Sequence, residues 1–210
     1  MGWIATPESA RPIADLLVAT GLRNAGYRYV VLEKGAVVEP GLAEYLQSRE
    51  LVLCVGAGQA GCPAYKRIDD SGTNVFEFRS QITLRAMSTE PMLVAYDLRK
   101  ATPEILSILL NREVIALHQD PLGRTGERLL KDGDSEVWVK PLADGGQAVA
   151  LLNRGETMRE VSTLVPYPSR LVELWLRRDV RMPREEFTAM VPPHGVILLR
   201  AVPMRGPDLR

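Results

Sequence analysis

The side chains best equipped for chemistry in this sequence are a few carboxylates with cations beside them. Tyr96, Asp97 and Arg99 directly follow Met92–Ala95, a short apolar run. A run of that length, apolar throughout, reads as a strand buried on both faces of a parallel sheet. Wound and barrel folds hold ligands just past the C-terminal ends of such strands, which places Asp97 and Arg99 where a ligand binds. The plainer alternative is that the two cap and pair within a turn. Glu33 stands beside Lys34 in a loop, and Asp69-Asp70 falls in the polar, turn-like stretch Lys66–Thr73. A pocket that gathered Glu33, Asp69 and Asp97 would have acid–base capacity. Without such a pocket, Glu33 is an exposed loop charge, and adjacent acids in a turn point apart and face water.

Positioning these groups requires an alternation of strands and helices, and the first half of the chain has one. Met1–Ala5 reads as a strand. Thr6, Pro7 and Ser9 break it before a helix whose buried side is Ile13, Leu16, Leu17 and Ala25, ended by Gly26 as a left-handed cap. After the strand Tyr29–Leu32 come an amphipathic helix over Pro40–Arg49 and a buried-type strand over Leu51–Val55. Val75, Phe78, Ile82 and Ala86 lay one apolar stripe along a helix that Pro91 stops. Thr102 as N-cap, Pro103 at the first helical position and Glu104 at the positive end of the dipole start the next helix, with Ile105, Leu106, Leu109 and Leu110 on its packed face. Gly56, Gly58 and Gly61 read as a loop and not a nucleotide cradle, because Cys62-Pro63-Ala64 follows where a helix would have to open.

Beyond Gly123 the period changes. Glu136–Leu142, Gln147–Asn153, Met158–Val165, Leu171–Leu176 and Gly195–Val202 are short β runs without helices between them, the first pair joined by Asp144-Gly145-Gly146. That pattern implies an antiparallel sandwich, complete from Ser135 to Val202 and able to fold alone. Trp138 and Trp175 read as core anchors and His194 as a turn or core histidine.

Composition narrows the functions further. The 210 residues are 46% hydrophobic and carry 26 basic and 26 acidic side chains, so a core can form and no net field draws nucleic acid or an anionic membrane. No apolar run is long enough to span a bilayer, and the basic-then-apolar profile of a signal peptide is missing, which implies a cytoplasmic protein. Cys54 and Cys62 have no His or Cys at metal-ligand spacing, so no metal is expected. Cys54 reads as a small core residue and Cys62 as a free thiol.

Three ordered words point to a family: Asp97-Leu98-Arg99, Asn111-Arg112-Glu113-Val114-Ile115-Ala116 and Gln119-Asp120-Pro121-Leu122-Gly123. They resemble the end of the catalytic barrel in glycoside hydrolase family 27, the α-galactosidases and α-N-acetylgalactosaminidases. Gly2-Trp3 and Gly26-Tyr27-Arg28-Tyr29-Val30 resemble the first barrel unit. Val137-Trp138, Ala150-Leu151-Leu152-Asn153-Arg154-Gly155, Leu174-Trp175 and His194-Gly195-Val196 follow in the order of that family's C-terminal β domain. The resemblance implies an internally shortened, partial TIM-type β/α barrel followed by a C-terminal antiparallel β-sandwich, α/β plus all-β, with domains at 1–123 and 124–210.

The resemblance also marks departures. Where the family has two adjacent aspartates followed by Gly-Trp to grip sugar hydroxyls, this chain has Glu33-Lys34-Gly35-Ala36, and a lysine only donates where a carboxylate accepts. A retaining glycosidase needs two carboxylates about 5 Å apart, which this family carries on its fourth and sixth strands; neither is found here. A closed barrel takes roughly 250 residues, whereas only about the first 120 here are α/β in pattern, enough for about four strand units. The resemblance therefore implies an α-galactoside-type carbohydrate partner, Trp3, Glu33 and Asp97 as remnants of substrate binding, no catalytic residue, no cofactor and no hydrolysis. A non-catalytic sandwich module for carbohydrate contact or subunit packing is the alternative. By the same resemblance Cys62 matches a family cysteine whose disulfide partner lies in a segment absent here, and family members are often secreted. A sheet that cannot close leaves an open edge, from which either an edge-to-edge homodimer or a loosely ordered, aggregation-prone half is expected.

Overall fold

The computed structural model describes residues 1–56, 62, 67–68, 74–165, 168–181 and 185–204. In chain order the elements are β1 (Gly2–Ile4), α1 (Ala10–Ala19), β2 (Tyr29–Leu32), α2 (Leu42–Gln47), β3 (Val52–Val55), β4 (Arg67–Ile68), α3 (Val75–Met87) and β5 (Leu93–Val94). A 3₁₀ turn at Leu98–Lys100 precedes α4 (Pro103–Leu109) and α5 (Arg112–His118). The strands β6 (Glu127–Asp132), β7 (Ser135–Pro141), β8 (Gln147–Asn153), β9 (Arg159–Leu164), β10 (Ser169–Glu173), β11 (Arg178–Val180), β12 (Glu186–Val191) and β13 (Val196–Pro203) complete the chain. They form two compact units: residues 1–72 with 90–110, and residues 73–89 with 111–210.

The first unit is a parallel sheet in the order β3-β2-β1-β5-β4. The last strand of the α/β half lies beside the first, the adjacency by which a cyclic β/α sheet closes. This is a partial barrel, and it holds one strand more than the pattern of apolar runs implied. The addition is β4, whose residues lie in the stretch read as a turn; a two-residue bridge leaves no periodicity to find. Because side chains alternate between faces along a strand, Ile4, Tyr29, Val31, Cys54 and Leu93 meet on one side of the sheet, with Cys62 against them. Trp3, Val30 and Leu32 point to the other, and all three are buried.

Several local signals hold and two are corrected. α1 ends at Gly21, with a φ of 80°, and not at Gly26; the first glycine after the apolar stripe captures the left-handed position, and Thr20 caps back onto Leu16 and Val18. Cys54 and Cys62 are joined in a disulfide, so Cys62 is not a free thiol. α4 starts as expected, with Thr102 accepting from the Ile105 N–H. α3 spans the expected residues and carries a capping box, Asn74 with Glu77, that the apolar stripe alone does not reveal. The glycines at 58 and 61 and the pair Asp69-Asp70 lie outside the described residues.

The second unit is a sandwich of a six-stranded antiparallel sheet, β11-β10-β13-β8-β7-β6, and the pair β12-β9. Val137, Val149, Leu151 and Leu199 from the larger sheet meet Val161 and Val191 from the smaller in one core. The structure adds α3 and α5 to this unit, so the partition by compactness is not the 123/124 division. Lys140 on β7 is buried, and its ammonium donates to the carbonyls of Ala86 and Leu117, both at 3.0 Å. These are last-turn carbonyls of α3 and α5, which lack helical partners and lie at the negative ends of the helix dipoles. A fragment starting at Gly126 would lack both carbonyls and the two helix ends that this ammonium is packed against. Trp138 donates its indole N–H to the buried Glu136, which Arg154 also grips, and Trp175 donates to Thr83. His194 occupies a turn with a φ of 52°.

His118, at the end of α5, sets a pH dependence. Burial depresses its pKa from the usual 6.5 to about 4. Between those values the unfolded chain binds a proton that the folded chain refuses, so stability falls as pH drops from 6.5 towards 4. With allowance for partial exposure the loss is about 2 kcal/mol. Urea unfolding across that range should show this slope, and His118→Gln should flatten it; an unchanged slope in the variant would assign the effect elsewhere.

Candidate functional site

At the C-terminal ends of β1, β2 and β5 the first unit encloses a cavity of about 470 Å³. Its lining is mixed: Ile4, Ala5, Ile13, Ala36 and Ala95 are apolar, and Thr6, Ser9, Glu33, Lys34, Tyr96, Asp97 and Arg99 are polar. The position follows from the fold. Parallel strands all end on the same side, and the loops leaving them converge there.

Each polar group is held by local chemistry. Thr6 and Ser9 bond one another's hydroxyl and backbone N–H across the turn that leads into α1. Glu33 and Lys34 lie in the turn after β2, closed by the Ala36 N–H donating to the Glu33 carbonyl and made possible by Gly35, whose φ is 85°. The Tyr96 hydroxyl donates to the Lys100 carbonyl at 2.8 Å. Asp97 caps the 3₁₀ turn, accepting from the Arg99 backbone N–H, and takes both Nε and Nη2 of the Arg99 guanidinium at 2.8 and 2.9 Å. The Arg99 side chain beside it holds the Asp97 carboxyl below its usual pKa.

The sequence-derived site residues are therefore treated differently by the fold. Glu33 and Asp97 line the same cavity. Trp3 does not line the cavity: the ring is fully buried, tilted against Tyr27 with ring centroids 6.0 Å apart, and its N–H donates to the Tyr96 carbonyl at 2.8 Å. Its contribution is to fix the chain segment that carries Tyr96 and Asp97. Thr6 and Ser9 were legible only as strand breakers. The rule that singles out Asp97, position just past a strand's C-terminal end, would have found them had it been applied to β1.

An incomplete parallel β/α barrel with a cavity at its strand ends shares one chain with an antiparallel sandwich. The profile described as α-galactosidase A matches residues 41–120, and that described as the α-galactosidase C-terminal β-sandwich domain matches residues 132–201. The chain belongs to glycoside hydrolase family 27 as an α-galactosidase-like protein with the C-terminal β-sandwich. α-Galactosidase 2 of Arabidopsis thaliana is 31% identical over 140 residues, covering 63% of this chain and 35% of that protein. α-Galactosidase A of Homo sapiens is 34% identical over 106 residues, covering 50% and 25%. The crystal structure of α-galactosidase I from Mortierella vinacea superposes with a TM-score of 0.82 at 15% identity, covering 96% of each chain. This chain spans about a third of the length of the curated relatives it matches.

Proposed function

We propose that this chain is an α-galactosidase-like protein that contacts a galactoside-type sugar in the 470 Å³ cavity without hydrolysing it. The observation that carries the proposal is the state of Asp97. Retaining hydrolysis needs a nucleophile and an acid/base on paired carboxylates about 5 Å apart. The described carboxylates on the cavity wall are Glu33 and Asp97. Asp97 has both oxygens occupied by Arg99, and its lowered pKa keeps it ionised where a general acid must hold a proton. In this reading Glu33 and Asp97 are substrate-binding remnants, Trp3 positions them, and no residue is catalytic. The second reading, a sandwich module for carbohydrate contact or subunit packing, draws on the sandwich core, which strand residues and Val165 build without a helix.

The open sheet supports a partner as well. Among the described residues β3 pairs with β2 on one side and with nothing on the other, and Val52 on it is 46% exposed. We infer that this edge pairs with a second copy. The Cys54–Cys62 disulfide favours an oxidising compartment over the cytoplasm. Among the described residues no helix is long and apolar enough to cross a membrane.

Purified protein incubated with an aryl α-galactoside should give no turnover above a mock purification. Turnover that is lost in Asp97→Asn would overturn the proposal and make this an enzyme. Light scattering on the same preparation should give the mass of two protomers, and a single-protomer mass would remove the edge pairing.

A further inference from the structure

We infer that the cavity selects a sugar acid, a pyranose carrying a carboxylate, over the neutral sugar. The inference rests on the sugar-contact reading above and specifies its ligand. The charges on the wall are the starting point. Arg99 and Asp97 neutralise each other through two short hydrogen bonds. The Tyr96 hydroxyl spends its proton on the Lys100 carbonyl, and Thr6 and Ser9 bond to each other. Glu33 has an interaction of its own. Lys34 is different: it lies on the wall, is exposed, and among the described residues has neither an ion pair nor a hydrogen bond through its ammonium group.

An unpaired ammonium offers three donors and no acceptor. A neutral sugar presents hydroxyls, which can accept from it, but a carboxylate gives a charge-assisted bond about twice as strong. The turn that holds Lys34 is fixed by Gly35 and the Ala36-to-Glu33 bond, so the backbone from which this lining side chain springs is held in place. The apolar part of the lining, Ile4, Ala5, Ile13 and Ala95, suits the C–H face of a pyranose ring. Ring against the apolar part and carboxylate against Lys34 is the arrangement that satisfies both parts of the lining.

The test is calorimetric titration of the full chain with D-galacturonate and with D-galactose at low ionic strength. Galacturonate should bind about tenfold more tightly, the scale of one charge-assisted bond. That preference should shrink as salt is added. Lys34→Arg should keep the preference, and Lys34→Asp should reverse it with the same circular dichroism and melting temperature as the parent. Equal affinity for the two sugars, or a preference unchanged in Lys34→Asp, overturns the sugar-acid inference and leaves the sugar-contact reading in place. Binding of neither sugar by a folded protein overturns both.

Discussion

The first unit depends on one strand. β1 is three residues long, yet it lies between β2 and β5 and so joins the early strands to the late ones. The join needs Gly2. A Cβ there would lie 2.6 Å from the Tyr29 Cβ and 2.7 Å from the Leu93 side chain, distances that real side chains do not reach. Removing the side chain lets Leu93 cross the strand and fill the same face as Val31 and Cys54. On the other face Trp3 is fully buried, and its N–H holds the Tyr96 carbonyl. Truncating a buried Trp to Ala typically costs about 3–5 kcal/mol, about a fifth or more of the stability of an ordinary domain. Gly2 and Trp3 together therefore set strand order and aim the segment that ends in Asp97.

That placement explains why the cavity survives in a chain with an incomplete barrel. Its walls come from the ends of β1, β2 and β5, three adjacent strands, and need no contribution from the far side of a closed ring. Binding and bond cleavage differ in this respect. A sugar can be held by one arc of strand ends, whereas hydrolysis needs groups disposed on both sides of the scissile bond. The bidentate Asp97–Arg99 pair fits the first task, since it fixes geometry while removing the carboxylate from proton transfer.

The fold was legible wherever a pattern had length. Tyr29–Leu32 and Val75–Met87 form elements with the bounds read from the sequence, and Thr102-Pro103 opens its helix as its residue types require. β6 could not be read: its six residues, Glu-Arg-Leu-Leu-Lys-Asp, are all exposed and do not alternate. β12 could have been, since Phe187, Ala189 and Val191 alternate with more exposed neighbours. The assignment of α3 and α5 to the sandwich unit was out of reach, because it rests on long-range contacts such as Ser80 to the His194 carbonyl, Trp175 to Thr83, Asn111 to the Leu174 carbonyl and Lys140 to the Ala86 and Leu117 carbonyls. At the site, the sequence led to Asp97 through a strand end and to Glu33 through the family resemblance. It could not separate Asp97 as ligand from Asp97 as cap, and the fold places it on the wall while bonding it to its own turn.

The bridging role of β1 is tested most directly by native-state amide hydrogen exchange. Ladder amides on β1, β2 and β5 should exchange only through opening of the whole unit, with protection lost together at Trp3, Val30, Val31 and Leu93 as denaturant is added. Rapid exchange at Trp3 and Leu93 while Val30 and Val31 remain protected would contradict the account, because β5 would then be no part of the sheet that β1 begins.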